Sequence, residues 1–228
     1  MAKNDLKKDS KESFVYKKSL KKNNPGYIFN FINVEKYLNR PLASLIVKAV
    51  YNTPVTPNQL TFLSFFVGMF AVYLISTGSY NYIAAGGVLI YISFVIDGAD
   101  GMLARSRNSG TVFGKYLDLF LDRILDFFII LGSTASVYKN TGDFKLLIIG
   151  LLALGLYMLQ VNLFYISNLL KKKDTGESGE ARALIGFIIM IIAIADKLIF
   201  VIYFAAIEVV LNLIYRVINF LWTGRKYS

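Results

Sequence analysis

The chain has 228 residues, 55% of them apolar, a net charge of +10, and neither cysteine nor histidine. Its mean hydropathy of +0.51 is too high for an ordinary soluble domain. The missing residue types exclude disulfides, zinc–thiolate sites, cysteine nucleophiles and histidine bases, so acid–base chemistry and metal binding fall to carboxylates.

Residues 1–26 are rich in lysine and end on Asn24-Pro25-Gly26, the pattern of a mobile basic tail. Such a tail beside apolar helices is expected at the cytosolic side, drawn to anionic lipid. Nucleic acid is the other partner of a basic run, but most of this chain belongs in a membrane, so none is expected. The first apolar run begins past residue 40 without a small-residue cleavage site, so no removable signal peptide is expected.

Residues 27–55 are expected to form an interfacial amphipathic region. Leu42, Leu45, Ile46, Ala49 and Val50 follow the i, i+3, i+4, i+7, i+8 spacing of one helix face, with Arg40 and Lys48 off the stripe. A short helix in the interface plane, with Pro41 as its first residue, fits this pattern. A helix packed on protein is the alternative.

Residues 56–222 supply six apolar segments: Pro57 to Ile75, Tyr82 to Arg105, Val112 to Tyr138, Phe144 to Leu170, Ala183 to Ala195 and Leu198 to Trp222. Most approach the roughly 20 residues needed to cross a bilayer. Alternating strand patterns are absent, so helices satisfy the backbone in lipid. The expected fold is an all-α integral membrane protein: six transmembrane helices after a short interfacial amphipathic helix, closed by a tail over residues 223–228. Arg105, Arg107, Lys171 to Lys173, Arg182, Arg225 and Lys226 lie in loops on the tail's side, against Lys139, Lys145 and Lys197 opposite. The positive-inside rule puts both termini in the cytosol.

The second and third segments carry the chemistry. Asp97 and Asp100 are spaced i, i+3, and Asp118 and Asp122 i, i+4, so each pair shares a helix face. The short loop Ser106 to Gly110 makes the two helices antiparallel neighbours, which lets four carboxylates converge at the cytosolic face. Four such charges repel unless a cation neutralises them, and oxygen-only ligands favour Mg²⁺ or Mn²⁺. Gly101, Ala104 and Gly114 are small where a ligand must approach, and Arg105 suits a phosphate. Together these suggest metal-assisted phosphoryl transfer. The competing reading ties the aspartates up in interhelical salt bridges with Arg105, Lys115 and Arg123. Asp126, one turn beyond Asp122, is expected to pair with Arg123, and Glu208 has no assignment.

The pattern D-x2-D-G-x2-A-R-x8-G-x3-D-x3-D, here Asp97, Asp100, Gly101, Ala104, Arg105, Gly114, Asp118 and Asp122, resembles the signature of the CDP-alcohol phosphotransferase (phosphatidyltransferase) family. The resemblance implies displacement of CMP from a CDP-alcohol by an acceptor hydroxyl, forming a phosphodiester in phospholipid or related inositol-phosphodiester synthesis. It implies that Asp97, Asp100 and Asp118 hold the metal, Mg²⁺ or Mn²⁺ in a two-metal site, with Asp122 both a partial ligand and the general base. It further implies that Gly101, Ala104 and Gly114 line the nucleotide pocket with Arg105 near it, that Asn58 and Thr61 of Pro57-Asn58-Gln59-Leu60-Thr61 stand beside the nucleotide, and that the protein is a homodimer. Asn58 as part of a mere helix start, and Arg105 as a membrane anchor, remain alternatives. Arg182, Lys115 and Arg123 are candidates for gripping the acceptor, which is an alcohol, phospho-alcohol or lipid; Arg182 as a flanking anchor is the other possibility. An aspartate-rich membrane prenyltransferase and a cation transporter with an acidic intramembrane site are the competing functions.

Overall fold

The computed structural model describes residues 35–171 and 179–224. The basic tail, the loop lysines 172 and 173 and the C-terminal tail lie outside the described residues, as does the side chain of Arg182. All the described elements are helices. A single π-helical turn, Glu35–Asn39, leads into α1 (Arg40–Val50). Then come α2 (Pro57–Ser76), α3 (Tyr80–Arg107), α4 (Val112–Thr141), α5 (Phe144–Lys171), α6 (Gly179–Ile194) and α7 (Ile199–Gly224).

Local chemistry sets the boundaries around the motif. Thr56 caps α2 in a reciprocal box: its hydroxyl accepts from the Gln59 amide at 3.3 Å, and the Gln59 side chain accepts from the Thr56 amide at 2.9 Å. Pro57 follows in the first turn, where its missing N–H costs nothing. α3 stops where Asn108 turns left-handed at φ 51°, a conformation asparagine tolerates better than most. Thr111 then caps α4 by accepting from the Gly114 amide at 2.9 Å. Only residues 108–111 separate the two helices, yet α3 and α4 are not the close backbone neighbours that the short loop suggests; among the described residues they are joined mainly through α2.

α2 packs on both α3 and α4, α6 covers α3, α5 and α7 pair and lean on α4, and α1 lies on α3. The shared core is aliphatic and aromatic, with Ile75, Ile83, Ile90, Phe94, Leu125 and Ile202 buried. In lipid there is little hydrophobic drive between helices, so close backbone approach at small residues decides the packing. Glycines mark the crossings: Gly68 meets Leu125, Gly132 meets Val72, Gly150 meets Thr134 and Gly186 meets Phe94. A Cβ on Gly86 would stand 2.7 Å from the Ala71 carbonyl oxygen, a backbone atom that moves only if α2 and α3 separate. Gly86→Ala is therefore expected to cost about 1–3 kcal/mol by overpacking, read as a lower thermal midpoint in detergent. Gly155→Ala, where nothing lies within 4 Å, should leave the midpoint unchanged or slightly higher.

Outward faces carry large apolar side chains, including Phe66 and Tyr73 on α2, Leu152 on α5 and Leu211 on α7. Three of the expected spans are long and apolar enough to cross a bilayer: Pro57–Ser76, Tyr80–Arg107 and Phe144–Leu163. α6 and α7 contribute the shorter apolar stretches Leu184–Ile194 and Ile199–Tyr215. α4, which carries Lys115, Asp118, Asp122, Arg123 and Asp126 along its first half, is not among the three. The stripe read on α1 is split: Ile46 and Val50 join Ala43 and Val47 against α3, whereas Leu42 and Leu45 stay exposed.

Candidate active site

Three helices deliver the site at one end of the bundle. Asp97 and Asp100 come from the last third of α3, Asp118 and Asp122 from the second and third turns of α4, and Asn58 and Thr61 from the first turns of α2. Carboxylate oxygens of Asp97, Asp100 and Asp118 lie within 4.8 Å of one another. Asp100 is buried and the other two are half-buried. Three charges held this close need a cation between them. Hard oxygen donors at such spacing suit Mg²⁺ or Mn²⁺, so these residues fit the divalent ion that the motif calls for.

Asp122 is not among the three converging carboxylates. It stands one turn deeper on α4, on the wall of a small open pocket that it shares with Asp97. Thr61, Ser64 and Ser93 line that pocket, with Phe65, Phe94 and Leu125. The space beside Asp122 is therefore lined by both polar and apolar side chains.

Thr61, expected beside the nucleotide, turns its hydroxyl inward and donates to Asp100 Oδ2 at 2.6 Å. That hydrogen bond fixes one oxygen of the buried carboxylate and leaves the other toward its partners. Thr61→Val is expected to remove about 1–3 kcal/mol of this support and to weaken Mn²⁺ binding roughly tenfold, as read by metal titration; Thr61→Ser should restore it.

Asn58 lies at the same end. Its amide oxygen is 2.7 Å from where a Cβ on Gly114 would sit, so glycine is what lets α2 and α4 meet there. Gly101 plays a similar part within α3: the Arg105 guanidinium folds over it, with Nη1 3.2 Å from a Cβ placed at that position. Gly101, Ala104, Gly114, Asn58 and Arg105 thus surround the carboxylates, with Arg105 exposed at the rim.

Lys115 is exposed on the first turn of α4. Arg123 turns away from the mouth, to Asp126 Oδ2 at 3.5 Å and the Tyr157 hydroxyl at 3.3 Å. Tyr157 in turn donates to Asp126 at 2.9 Å. The expected Asp126–Arg123 pairing is present, and α5 supplies a third member. Glu208 accepts from the Asn212 side chain one turn along α7.

Two residues of this end take places that the sequence does not show, Asn39 without any signal and Arg107 as no more than a loop cation. Asn39 is buried beside Gly98, its amide nitrogen 3.3 Å from a Cβ placed there, between Asp97 and Asp100. Arg107 is wrapped by backbone carbonyls of the α1–α2 loop. Neither has a spacing signal, because both depend on α1 folding back on α3.

A helical bundle with a triple-carboxylate centre at one end defines a membrane-embedded type of protein with a cluster able to hold a divalent ion. The chain matches the CDP-alcohol phosphatidyltransferase family over residues 54–218, and it belongs to that family. Among curated proteins it is 38% identical over 111 residues to the bifunctional IPC transferase and DIPP synthase of Aquifex aeolicus, covering 49% of this chain and 24% of that protein. It is 36% identical over 123 residues to the archaetidylinositol phosphate synthase of Methanothermobacter thermautotrophicus, covering 53% of this chain and 58% of that one. The chain spans about a quarter of the length of the bifunctional relatives it matches. The fold is similar to that of Mycobacterium tuberculosis phosphatidylinositol phosphate synthase with CDP-DAG bound, at TM-score 0.64 and 21% identity over 78% of this chain and 92% of that one. The same enzyme in complex with manganese and citrate gives TM-score 0.65 at 22% identity, over 79% of this chain and 89% of that one.

Proposed function

We propose that this protein is a CDP-alcohol phosphotransferase whose acceptor carries a phosphorylated inositol or a similar polyol. The observation that carries the reading is the convergence of Asp97, Asp100 and Asp118 within 4.8 Å, beside a fourth carboxylate and a glycine-lined rim. The acceptor class rests on relatives whose names include archaetidylinositol phosphate synthase and phosphatidylinositol phosphate synthase. Family membership displaces the prenyltransferase and transporter alternatives.

Asp97, Asp100 and Asp118 would hold Mg²⁺ or Mn²⁺, one ion or two, with Asp122 a partial ligand. An ion held there would supply charge neutralisation for the diphosphate and for the departing CMP. Asn58, Gly101, Ala104 and Gly114 let the nucleotide approach the backbone, and Arg105 adds a cation at the phosphate end. The acceptor O–H attacks the alcohol-bearing phosphorus, the bond from that phosphorus to the oxygen of CMP breaks, and Asp122 takes the hydroxyl proton. Arg182 and Lys115 are placed by the sequence to meet an anionic acceptor. Arg123 is committed to Asp126 and Tyr157 and contributes from behind the site.

The same reading takes the chain as six spans behind an interfacial α1, in a homodimer, with the aspartates and both termini in the cytosol. Leu42 and Leu45 are the α1 side chains open to a lipid surface. A cysteine at Ser109 on this cysteine-free chain should react with an impermeant thiol reagent in inside-out membranes only. Labelling in intact cells reverses the orientation.

The activity is tested by purified protein in liposomes, given CDP-diacylglycerol and a panel of inositol phosphate, glycerol phosphate, inositol and serine. CMP release that depends on inositol phosphate is the expected result. Release with serine alone moves the acceptor class, and none with any acceptor overturns the reading.

A further inference from the structure

Arg107 is the last residue of α3, two positions beyond Arg105. Its placement there reads as one more positive charge at the cytosolic end of a span. The structure gives it other work. Nη1 donates to the Val55 carbonyl at 2.5 Å, while Nη2 faces the carbonyls of Val50 at 2.6 Å, Tyr51 at 2.6 Å and Thr53 at 2.9 Å. The guanidinium also lies 5.8 Å from the centre of the Tyr51 ring. One side chain thus gathers four carbonyls of a six-residue stretch.

Val50 and Tyr51 close α1, where the last helical carbonyls lack intrahelical donors and the backbone dipole favours a cation. Val55 is the residue before Thr56, the cap of α2, and Asn58 follows two residues later. The carbonyls held by Arg107 therefore bracket the short exposed loop that ends at the nucleotide-facing turn. Across that turn Asn58 meets Gly114. A guanidinium does this because its donors are fixed in a planar fork. With those donors turned onto carbonyls, Arg107 is not placed to grip a phosphate.

We propose that Arg107 is a positioning residue for the nucleotide pocket: its carbonyl cage sets where the α1–α2 loop ends, and so holds Asn58 against Gly114 at the donor's end of the site. The inference rests on the proposed activity and adds a determinant of donor binding outside the aspartate signature. A lysine, with a compact charge and no fork, meets fewer of the four carbonyls. An arginine that merely anchors the helix end would be replaced by lysine without loss.

The test uses the full chain in detergent with CDP-diacylglycerol as donor. Arg107→Gln is expected to raise the donor KM by roughly tenfold while kcat at saturating donor stays within about threefold, with Arg107→Lys intermediate. In an Asn58→Ala background, Arg107→Gln should change the donor KM much less, since the residue acts through Asn58. Spin labels at Thr53→Cys and Gly110→Cys report loop position without reference to turnover; their distance distribution should broaden in Arg107→Gln. If wild type releases no CMP, the proposed activity fails, whatever the labels show. If wild type turns over and Arg107→Gln keeps its donor KM, or Arg107→Lys equals wild type, or the effects of Arg107→Gln and Asn58→Ala on KM simply multiply, the positioning role is wrong and the activity stands.

Discussion

Replacing Asp97, Asp100 or Asp118 with alanine is expected to abolish measurable CMP release, a loss of about 10³-fold or more. A bound divalent ion contributes several kcal/mol of charge stabilisation to phosphoryl transfer, and each ~1.4 kcal/mol is a decade in rate. The three oxygens lie within 4.8 Å of one another, so no one of them is a spare. Asp100 should be the most sensitive, because it is the buried member and has Thr61 as donor behind it. Stability is expected to move the other way. Without metal, three clustered carboxylates repel, so Asp100→Asn should raise the thermal midpoint of metal-free protein. It should also erase the gain wild type shows on adding Mn²⁺, which for a ligand at a hundred times its Kd is about 2.7 kcal/mol. A variant that keeps both its turnover and its Mn²⁺-dependent stabilisation would remove that residue from the metal site. Undiminished wild-type turnover in excess EDTA would remove the metal.

Asp122→Asn is expected to lower kcat by about 10²–10⁴-fold, the usual worth of general-base help, with the donor KM and Mn²⁺ affinity close to wild type. The geometry separates this residue from its neighbours. It lies one turn beyond Asp118, outside the set of three that converge, and it faces the pocket rather than the rim. With no histidine or cysteine in the chain, a carboxylate is the side chain left to take the acceptor proton at neutral pH. Asparagine keeps the shape and removes the basic oxygen, so lost turnover with intact binding isolates the proton transfer. If Asp122→Asn loses donor and metal affinity as severely as Asp97→Asn, Asp122 is chiefly a ligand, and the base must be sought elsewhere.

The local pieces of the site were legible because local chemistry writes them. Thr56-Pro57 with Gln59 three residues after the cap is a helix start in any context. Asn108 and Thr111 mark the end of α3 and the start of α4 by their own backbone and hydroxyl preferences. The i, i+3 and i, i+4 spacings put each aspartate pair on one face, and the four-residue turn brings both pairs to the same end of the bundle. On α1 the same periodic reasoning reaches only as far as the stripe itself. A stripe through Leu42, Leu45, Ile46 and Val50 identifies an amphipathic helix, but cannot say which part of the stripe lies on protein. Packing on α3 chose Ala43, Ile46, Val47 and Val50.

By itself the sequence determined that the chain is helical, belongs in a membrane, uses oxygen ligands alone and carries an aspartate signature able to hold a divalent ion. Composition and short-range spacing are enough for these conclusions, since the forces behind them act within a helical turn or across one tight loop. Only the tertiary structure decided that Asp97, Asp100 and Asp118 converge while Asp122 stands back, and that the Thr61 hydroxyl donates to Asp100. It also decided that Tyr157 of α5 joins Arg123 and Asp126, and that Arg107 closes on the carbonyls of a loop more than fifty residues away in the chain. Each of these is a long-range contact made when glycine notches let separate helices approach, and no spacing along the chain encodes which faces will meet.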